Sequence, residues 1–393
     1  MTTGLFDKIN AIHKEKEKIQ DNPYHKFGFE KNPFPTKTMG MWDRFFNQDV
    51  IRKVFEDKLL SFIRDNFQNS PTFLLEGGNR TGKTHFLKHH KLELTKYQRE
   101  NHRFDVGILY ISASSADFNL NYSDMLDQLF EQYENVQGES LLLNLIDNFQ
   151  KFDEKITFED DIVRALHRLA SLSKITDPTK KEENFELNLE VFKAWIFGSS
   201  TDIKFRRNLH LYSVPRYPHQ KVQLFYRLFR LLQEVGLIGG IILFVDEFEQ
   251  LWLKDKKKRL NYFTILRSLL DEFSEGGLFS TFALSSAEDK KKDFQREYMP
   301  LYRRIYLDSE SNNVLKQITS FSEAWDYIEH YLNSARDEFT KNHGDFSGHQ
   351  LIKKEDTKDL LANKGILFKD PLPQGYLFEI LHDEFERIVK SSF

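Results

Sequence analysis

Short, mostly apolar runs alternate along this chain with longer stretches in which apolar positions recur every three or four residues. Runs of the first kind lie at 72–75, 106–112, 241–245 and 278–284 and predict strands, with a fifth short one at 305–307. The run Ile241-Ile242-Leu243-Phe244-Val245 has no polar face, the pattern of a strand buried on both sides in a helix-covered parallel sheet. Helical spacing appears at 50–67, carried by Val54, Phe55, Leu59, Leu60, Ile63 and Phe67, and again at 122–134, 159–172, 222–235 and 262–273. Residues 293–299 predict a short helix stopped by Pro300. Three further helices are predicted at 321–339, 353–362 and 375–389.

This alternation divides the chain into three parts. Residues 1–45 read as a polar arm, 1–24, followed by an aromatic and proline-rich linker. In that linker Phe27-Gly28-Phe29 and Asn32-Pro33-Phe34-Pro35 need an apolar surface to pack on. Residues 46–310 form a core with an insertion around 135–220, and 311–393 a C-terminal helical domain. The charged stretch 173–188, with Lys180-Lys181-Glu182-Glu183, predicts a mobile loop inside the insertion.

Composition narrows the class without naming a function. The chain has 393 residues, 40% hydrophobic and 30% charged, which suits a globular protein with one large domain and a smaller companion. With 0 cysteines it has neither disulfides nor thiolate metal sites, consistent with a reducing, cytoplasmic setting. No long apolar run predicts a membrane span, and Asp7, Glu15 and Glu17 argue against a secretory signal. A net charge of -4 exerts no global pull toward nucleic acid. Two local clusters, Lys254 with Lys256–Arg259 and Lys290–Lys292, either face a phosphate backbone or are solvated loops.

The chemistry is concentrated where the predicted strands end. Directly after the first strand comes Gly77-Gly78-Asn79-Arg80-Thr81-Gly82-Lys83-Thr84-His85, which fits the Walker A spacing G-x-x-x-x-G-K-[ST]. Its glycines let backbone approach phosphates, Lys83 suits the β and γ phosphates, and the Thr84 hydroxyl suits Mg²⁺. A helix starting near Gly82 presents unpaired N–H groups that favour the same negative charge. The fold class expected is therefore α/β: a P-loop NTPase-like three-layer core with a mostly parallel sheet, and a C-terminal α-helical lid domain. Its expected cofactors are ATP and Mg²⁺.

The strand 241–245 ends in two carboxylates with distinct expected roles. Asp246 suits the metal ion, and Glu247 suits a general base orienting water. The pair can instead cap the helix that follows. Ser285 and Ser286 end the next strand, as γ-phosphate sensors or as ordinary strand terminators. Arg303 and Arg304 read as structural partners for acids or as an arginine finger for a neighbouring subunit. His85 and His89, four apart on the predicted helix, are open to metal binding but have no third ligand nearby, so packing is the better reading. Trp195 and Trp252 read as apolar anchors.

With both nucleotide motifs, the serines, the arginine pair and the trailing helices in this order, the chain resembles the AAA+ superfamily, particularly its origin-recognition and replication-initiator branch. The likeness spans approximately residues 25–393. The segment around Phe34 is similar to one near the adenine pocket in transposition and secretion ATPases of that branch, which implies a cofactor-binding role for Phe34. A narrower likeness lies in Phe192-Lys193-Ala194-Trp195-Ile196-Phe197-Gly198, Gly236-Leu237-Ile238-Gly239-Gly240 and Asp246-Glu247-Phe248-Glu249, which is similar to ATP-binding proteins of BREX-type phage-resistance systems.

These resemblances imply Mg²⁺-dependent ATP hydrolysis as a conformational switch in a multi-protein, DNA-linked prokaryotic defence or mobile-element system. Self-association, a protein partner and double-stranded DNA are the partners implied. Where lid domains of the family place an arginine, this chain reads Pro371-Leu372-Pro373-Gln374-Gly375-Tyr376, so turnover is expected to be slow or to use another arginine such as Arg387. Two alternatives stay open: an assembly subunit with structural or slowly hydrolysed ATP, and a DNA-stimulated motor or loader.

Overall fold

Apolar β-formers bounded by glycine and polar residues give four strands: β1 (Thr72–Gly77), β2 (Val106–Ser112), β3 (Gly240–Asp246) and β4 (Leu278–Ser285). The computed structural model describes residues 22–34, 43–152, 161–177, 179, 182–285, 287–306, 313–344 and 352–391. The strands form an all-parallel sheet in the order β1-β4-β3-β2. The protein is thus α/β, divided into two compact units.

The larger unit, residues 49–78 and 86–315, contains the sheet. Alternation along each strand sends side chains to opposite faces. Ile241, Leu243 and Val245 of β3 join one large cluster with Phe248, Phe263 and Phe294. Phe244 instead approaches Phe55 of the helix Asp49–Arg64, at 6.2 Å between ring centroids. Phe55 also meets Phe73 of β1 and Phe279 of β4 edge to face. Helices therefore cover both faces, which explains why β3 has no polar side. Each fully buried large apolar side chain contributes roughly 1.5–3 kcal/mol.

Side chains cap the β2 margin of the sheet, and the backbone pairs at the end of the β1 margin. Along β2, Gln132 accepts from the Ile108 N–H and donates to its carbonyl, while Gln128 accepts from the Tyr110 N–H and donates to its carbonyl. These glutamines are four apart on the helix Phe118–Gln137, matching two positions two apart on the strand. Gln98 adds a donor to the Val106 carbonyl at 2.6 Å. Along β1, Glu76 donates its N–H to Asn313 and accepts from the Leu315 N–H.

Several sequence expectations need correction here. Residues 305 and 306 belong to the helix Met299–Tyr306, not a strand, and Leu307 lies outside the described residues. The preceding helix, Glu288–Glu297, does stop just short of Pro300, with Tyr298 as its C-cap; Pro300 itself sits in the first turn of Met299–Tyr306, where its missing N–H costs nothing. Residues 175–177 are irregular, and Pro178, Lys180 and Lys181 of the expected loop lie outside the described residues, but its later part is a π-helical turn, Glu182–Glu186, running into the helix Leu187–Ile196; Phe185 and Phe192 are buried. Within the insertion, Asp161–Ser173 buries Ile162, Leu166 and Leu169, a stripe at helical spacing.

The tryptophan-glycine and glycine-rich segments have packing explanations. Trp195 is buried and donates its indole N–H to the Ser213 carbonyl at 2.5 Å. Phe67 lies so close to Gly239 and Gly240 that a Cβ would fall 2.1 Å and 2.6 Å from its ring.

The smaller unit comprises residues 1–48, 79–85 and 316–393, of which 1–21 are among those outside the description, including most of the predicted polar arm. Its helices are Phe321–His343, Lys354–Asn363 and Gln374–Ser391. The aromatic linker finds its surface on the last of these. Phe29 and Phe34 are fully buried and meet Phe385 at 5.5 Å and 6.2 Å. Asn32 fastens the same contact by donating to the His382 carbonyl and to Glu386. Among the described residues no helix is long and apolar enough to cross a membrane.

Candidate functional site

Parallel strands bring all four carboxyl ends to one edge of the sheet, the usual place for ligands in open α/β folds. Register sets Gly77 opposite Ser285 and Ser112 opposite Asp246. Gly77, Ser285, Asp246 and Ser112 thus mark consecutive strand ends.

Asp246 is 1% exposed, yet both of its oxygens are engaged. Oδ2 accepts from the Tyr110 hydroxyl at 2.5 Å and Oδ1 from the Glu247 N–H at 2.8 Å. Burial, then the charge and hydrogen bond of Asp246, then Glu247, push the Tyr110 phenol far above its ordinary range. Tyr110 therefore stays a donor. Ammonium groups of Lys88 and Lys91 lie over its ring at 5.5 Å and 5.9 Å.

Glu247 occupies the left-handed region, φ 54° and ψ 30°, which is uncommon for a residue with a side chain. This turn leaves its carboxylate exposed, where Oε2 accepts from Ser112 Oγ at 2.6 Å. Ser112 also caps the short helix Ala113–Ser115 by accepting from the Ser114 N–H. Neither Tyr110 nor Ser112 was singled out from sequence, because their roles depend on β2 lying beside β3. Ser285 is buried and its Oγ accepts from the Ala287 N–H at 3.4 Å, while Ser286 lies outside the described residues.

The glycine-rich loop continues directly from Gly77 at the end of β1. Gly78 is half-buried and Asn79 exposed; Arg80 is left-handed at φ 63°, Thr81 is buried, and Gly82 has φ 99°. Lys83 begins the helix Lys83–Asn101, followed by Thr84 and His85 in its first turn. Within the smaller unit this loop is pinned by the start of Gln374–Ser391. The Gly375 N–H donates to the Arg80 carbonyl at 2.9 Å, and Arg80 pairs with Glu379 and overlies Tyr376. A Cβ on Gly82 would lie 3.3 Å from Gln374 Oε1. Gln374 itself donates to Tyr327 Oη at 2.5 Å and to the Lys316 carbonyl. His85 Nε2 meets the Arg44 carbonyl at 2.6 Å. Phe34 stays in the core of this unit, with its ring on Phe378 and Phe385.

The arginines considered from sequence have ordinary partners or none at a strand end. Arg304 is on a helix and pairs with Asp271 at 2.7 Å. Arg303, on the same helix, is exposed. Arg387 pairs with Glu384 three residues before it. The first basic cluster is also divided. Arg259 is 8% exposed and donates to both oxygens of Glu297, at 2.8 Å and 2.9 Å. Lys256, Lys257 and Lys258 are exposed at the start of the helix Lys256–Glu272, capped by Asp255. In the second cluster Lys291 faces Glu76 and the Tyr306 ring.

No protein-family model matches the chain, and no curated protein sequence matches it.

Proposed function

We propose that this chain is a P-loop ATPase of the AAA+ type that binds ATP with Mg²⁺ and hydrolyses it as a switch within a larger assembly. The observation that carries this reading is the buried Asp246 followed by a left-handed, exposed Glu247 at a strand end, in a sheet whose β1 runs into a Walker A loop. A cation-binding role gives the buried carboxylate a purpose that packing alone does not. The residues fit the group: left-handed Arg80 and the high φ of Gly82 suit a loop that turns its N–H groups inward, and Lys83 and Thr84 open a helix.

In this reading Lys83 and the loop N–H groups hold phosphate oxygens, and Thr84 and Asp246 hold Mg²⁺. The bound ion would neutralise charge on the β and γ phosphates. Glu247 orients water and accepts its proton. Ser285 or Ser286 is the phosphate sensor of this reading. ATP turnover with Mg²⁺, with and without double-stranded DNA, tests the reading. Glu247→Gln is expected to retain ATP binding and lose turnover, and Lys83→Ala to lose binding. Undiminished affinity in Lys83→Ala rejects the loop assignment.

A second reading, a slowly hydrolysing assembly subunit, is favoured by what surrounds the carboxylates and the loop. Ser112 holds Glu247, Gln374 stands at the lid turn, and Arg304 and Arg387 are paired with acids. Tight ATP binding with negligible turnover, with or without DNA, supports it. The defence or mobile-element setting is part of the proposal through resemblance alone. A DNA role draws on Lys256 and Lys257, exposed at a helix N-terminus where positive charge opposes the helix dipole; Lys258 beside them pairs with Asp255 at 3.7 Å.

A further inference from the structure

Far along the sequence from the nucleotide motifs, three side chains of the smaller unit converge. His25 lies in the short helical turn His25–Phe27, and Gly28, at φ 72°, bends the chain so that Glu30 returns to it. His25 Nε2 is 3.2 Å from Glu30 Oε2. His343, the last residue of the helix Phe321–His343, places its Nε2 2.8 Å from the other oxygen, Oε1. Two imidazoles therefore address opposite oxygens of one carboxylate.

The surroundings hold this geometry. Both rings pack on Phe339, at 5.3 Å for His25 and 4.6 Å for His343, and their own centroids are 4.8 Å apart. Asn342 donates to Glu30 Oε1 at 2.9 Å. That bond, more than those from the two histidines, draws the Glu30 carboxyl below its ordinary range.

We propose that His25, Glu30 and His343 form a site for a divalent transition-metal ion, zinc in the first instance. The three donor atoms all lie within 4.8 Å of one another. Bonds of about 2.0–2.1 Å in tetrahedral geometry put neighbouring donors about 3.4 Å apart, so small side-chain adjustments seat an ion. Two imidazoles and a carboxylate suit zinc, whereas Mg²⁺ and Ca²⁺ want an all-oxygen shell. The C-terminal end of the helix carrying His343 also favours positive charge. Each neutral imidazole donating Nε2–H to Glu30 must present that lone pair to the ion instead, carrying its proton on Nδ1. With side chains 38%, 25% and 40% exposed for His25, Glu30 and His343, a fourth position faces solvent.

Zinc is titrated into full-length, chelator-stripped protein in excess Mg²⁺, and cobalt absorption is recorded in parallel. One zinc per chain is expected, with affinity falling at least about tenfold in His25→Gln, Glu30→Gln and His343→Gln. Cobalt is expected to give visible d–d bands that these variants lose, and zinc to raise the melting temperature of the parent chain more than theirs. Glu30→Gln preserves shape, so its comparison holds even if a histidine variant folds poorly. Absence of zinc binding, or equal binding by the parent chain and Glu30→Gln, overturns the site and leaves Glu30 as a hydrogen-bond acceptor for two histidines.

Discussion

The Ser112 hydroxyl reaches across from the last residue of β2 to hold the Glu247 carboxylate at 2.6 Å, one residue beyond the end of β3. A carboxylate that accepts this bond is fixed in direction. If Glu247 activates water, Ser112 restrains it. Ser112→Ala is expected to raise basal ATP turnover about 3- to 10-fold, the kinetic equivalent of a hydrogen bond worth about 1 kcal/mol. Steady-state assays decide it, with Glu247→Gln as the silent background. A fall in turnover would mean that the serine positions the base instead.

Tyr110 serves the neighbouring acid. Tyr110→Phe removes the donor to Asp246 Oδ2 and leaves a buried oxygen dependent on other partners. A stability loss of about 1–3 kcal/mol is expected in denaturant unfolding. In ATP-binding assays the Mg²⁺ concentration for half-maximal effect should change, while Mg²⁺-free binding stays near that of the parent chain.

Arg259 must be kept when the basic cluster is tested for DNA binding. Its guanidinium and Glu297 have side chains only 9% and 15% exposed, so removing one partner is expected to cost about 3–5 kcal/mol. Arg259→Ala should lower the melting temperature sharply. Replacing Lys256, Lys257 and Lys258 by Gln should leave it within a few degrees and, if DNA stimulates turnover, reduce that stimulation and its salt dependence.

His330 should make stability depend on pH. Burial, aided by the Arg44 charge, lowers its pKa below the ordinary 6.5, and its ring stacks on Phe46 at 4.7 Å. Below about pH 6.5 the unfolded chain takes up this proton before the folded chain does. Its contribution is thus full above that pH and is lost as pH falls through the lower folded value. Denaturant midpoints measured across this range should fall with acidification, and His330→Gln should flatten the slope.

The mostly apolar runs at 106–112 and 278–284 coincide with β2 and with all but the last residue of β4, because burial on both faces keeps charged residues out and admits only small polar ones such as Ser280 and Thr281. The apolar trio at 305–307 misled for the opposite reason. Leu301 and Ile305 are a buried pair four apart on a helix, a spacing that three residues cannot reveal. At 173–188 charge suggested a loop, while Phe185 supplied a buried contact. The glycine loop, Asp246 and Glu247 were readable because their spacing is local. Tyr110 and Ser112 were not, since only strand order puts β2 next to β3. Glu30 lies near His25 in sequence, but His343 comes from more than 300 residues away.

Strand margins are where one chain most easily templates another, and here β2 is withheld along its length while β1 is withheld at its end. Gln128 and Gln132 occupy the ladder positions of β2, and Asn313–Leu315 those at the end of β1. A second copy cannot pair along β2 without first expelling those amides. The same glutamines guard β2 against fibre growth at high local concentration, since pairing there would mean unzipping contacts that hold strand and helix together.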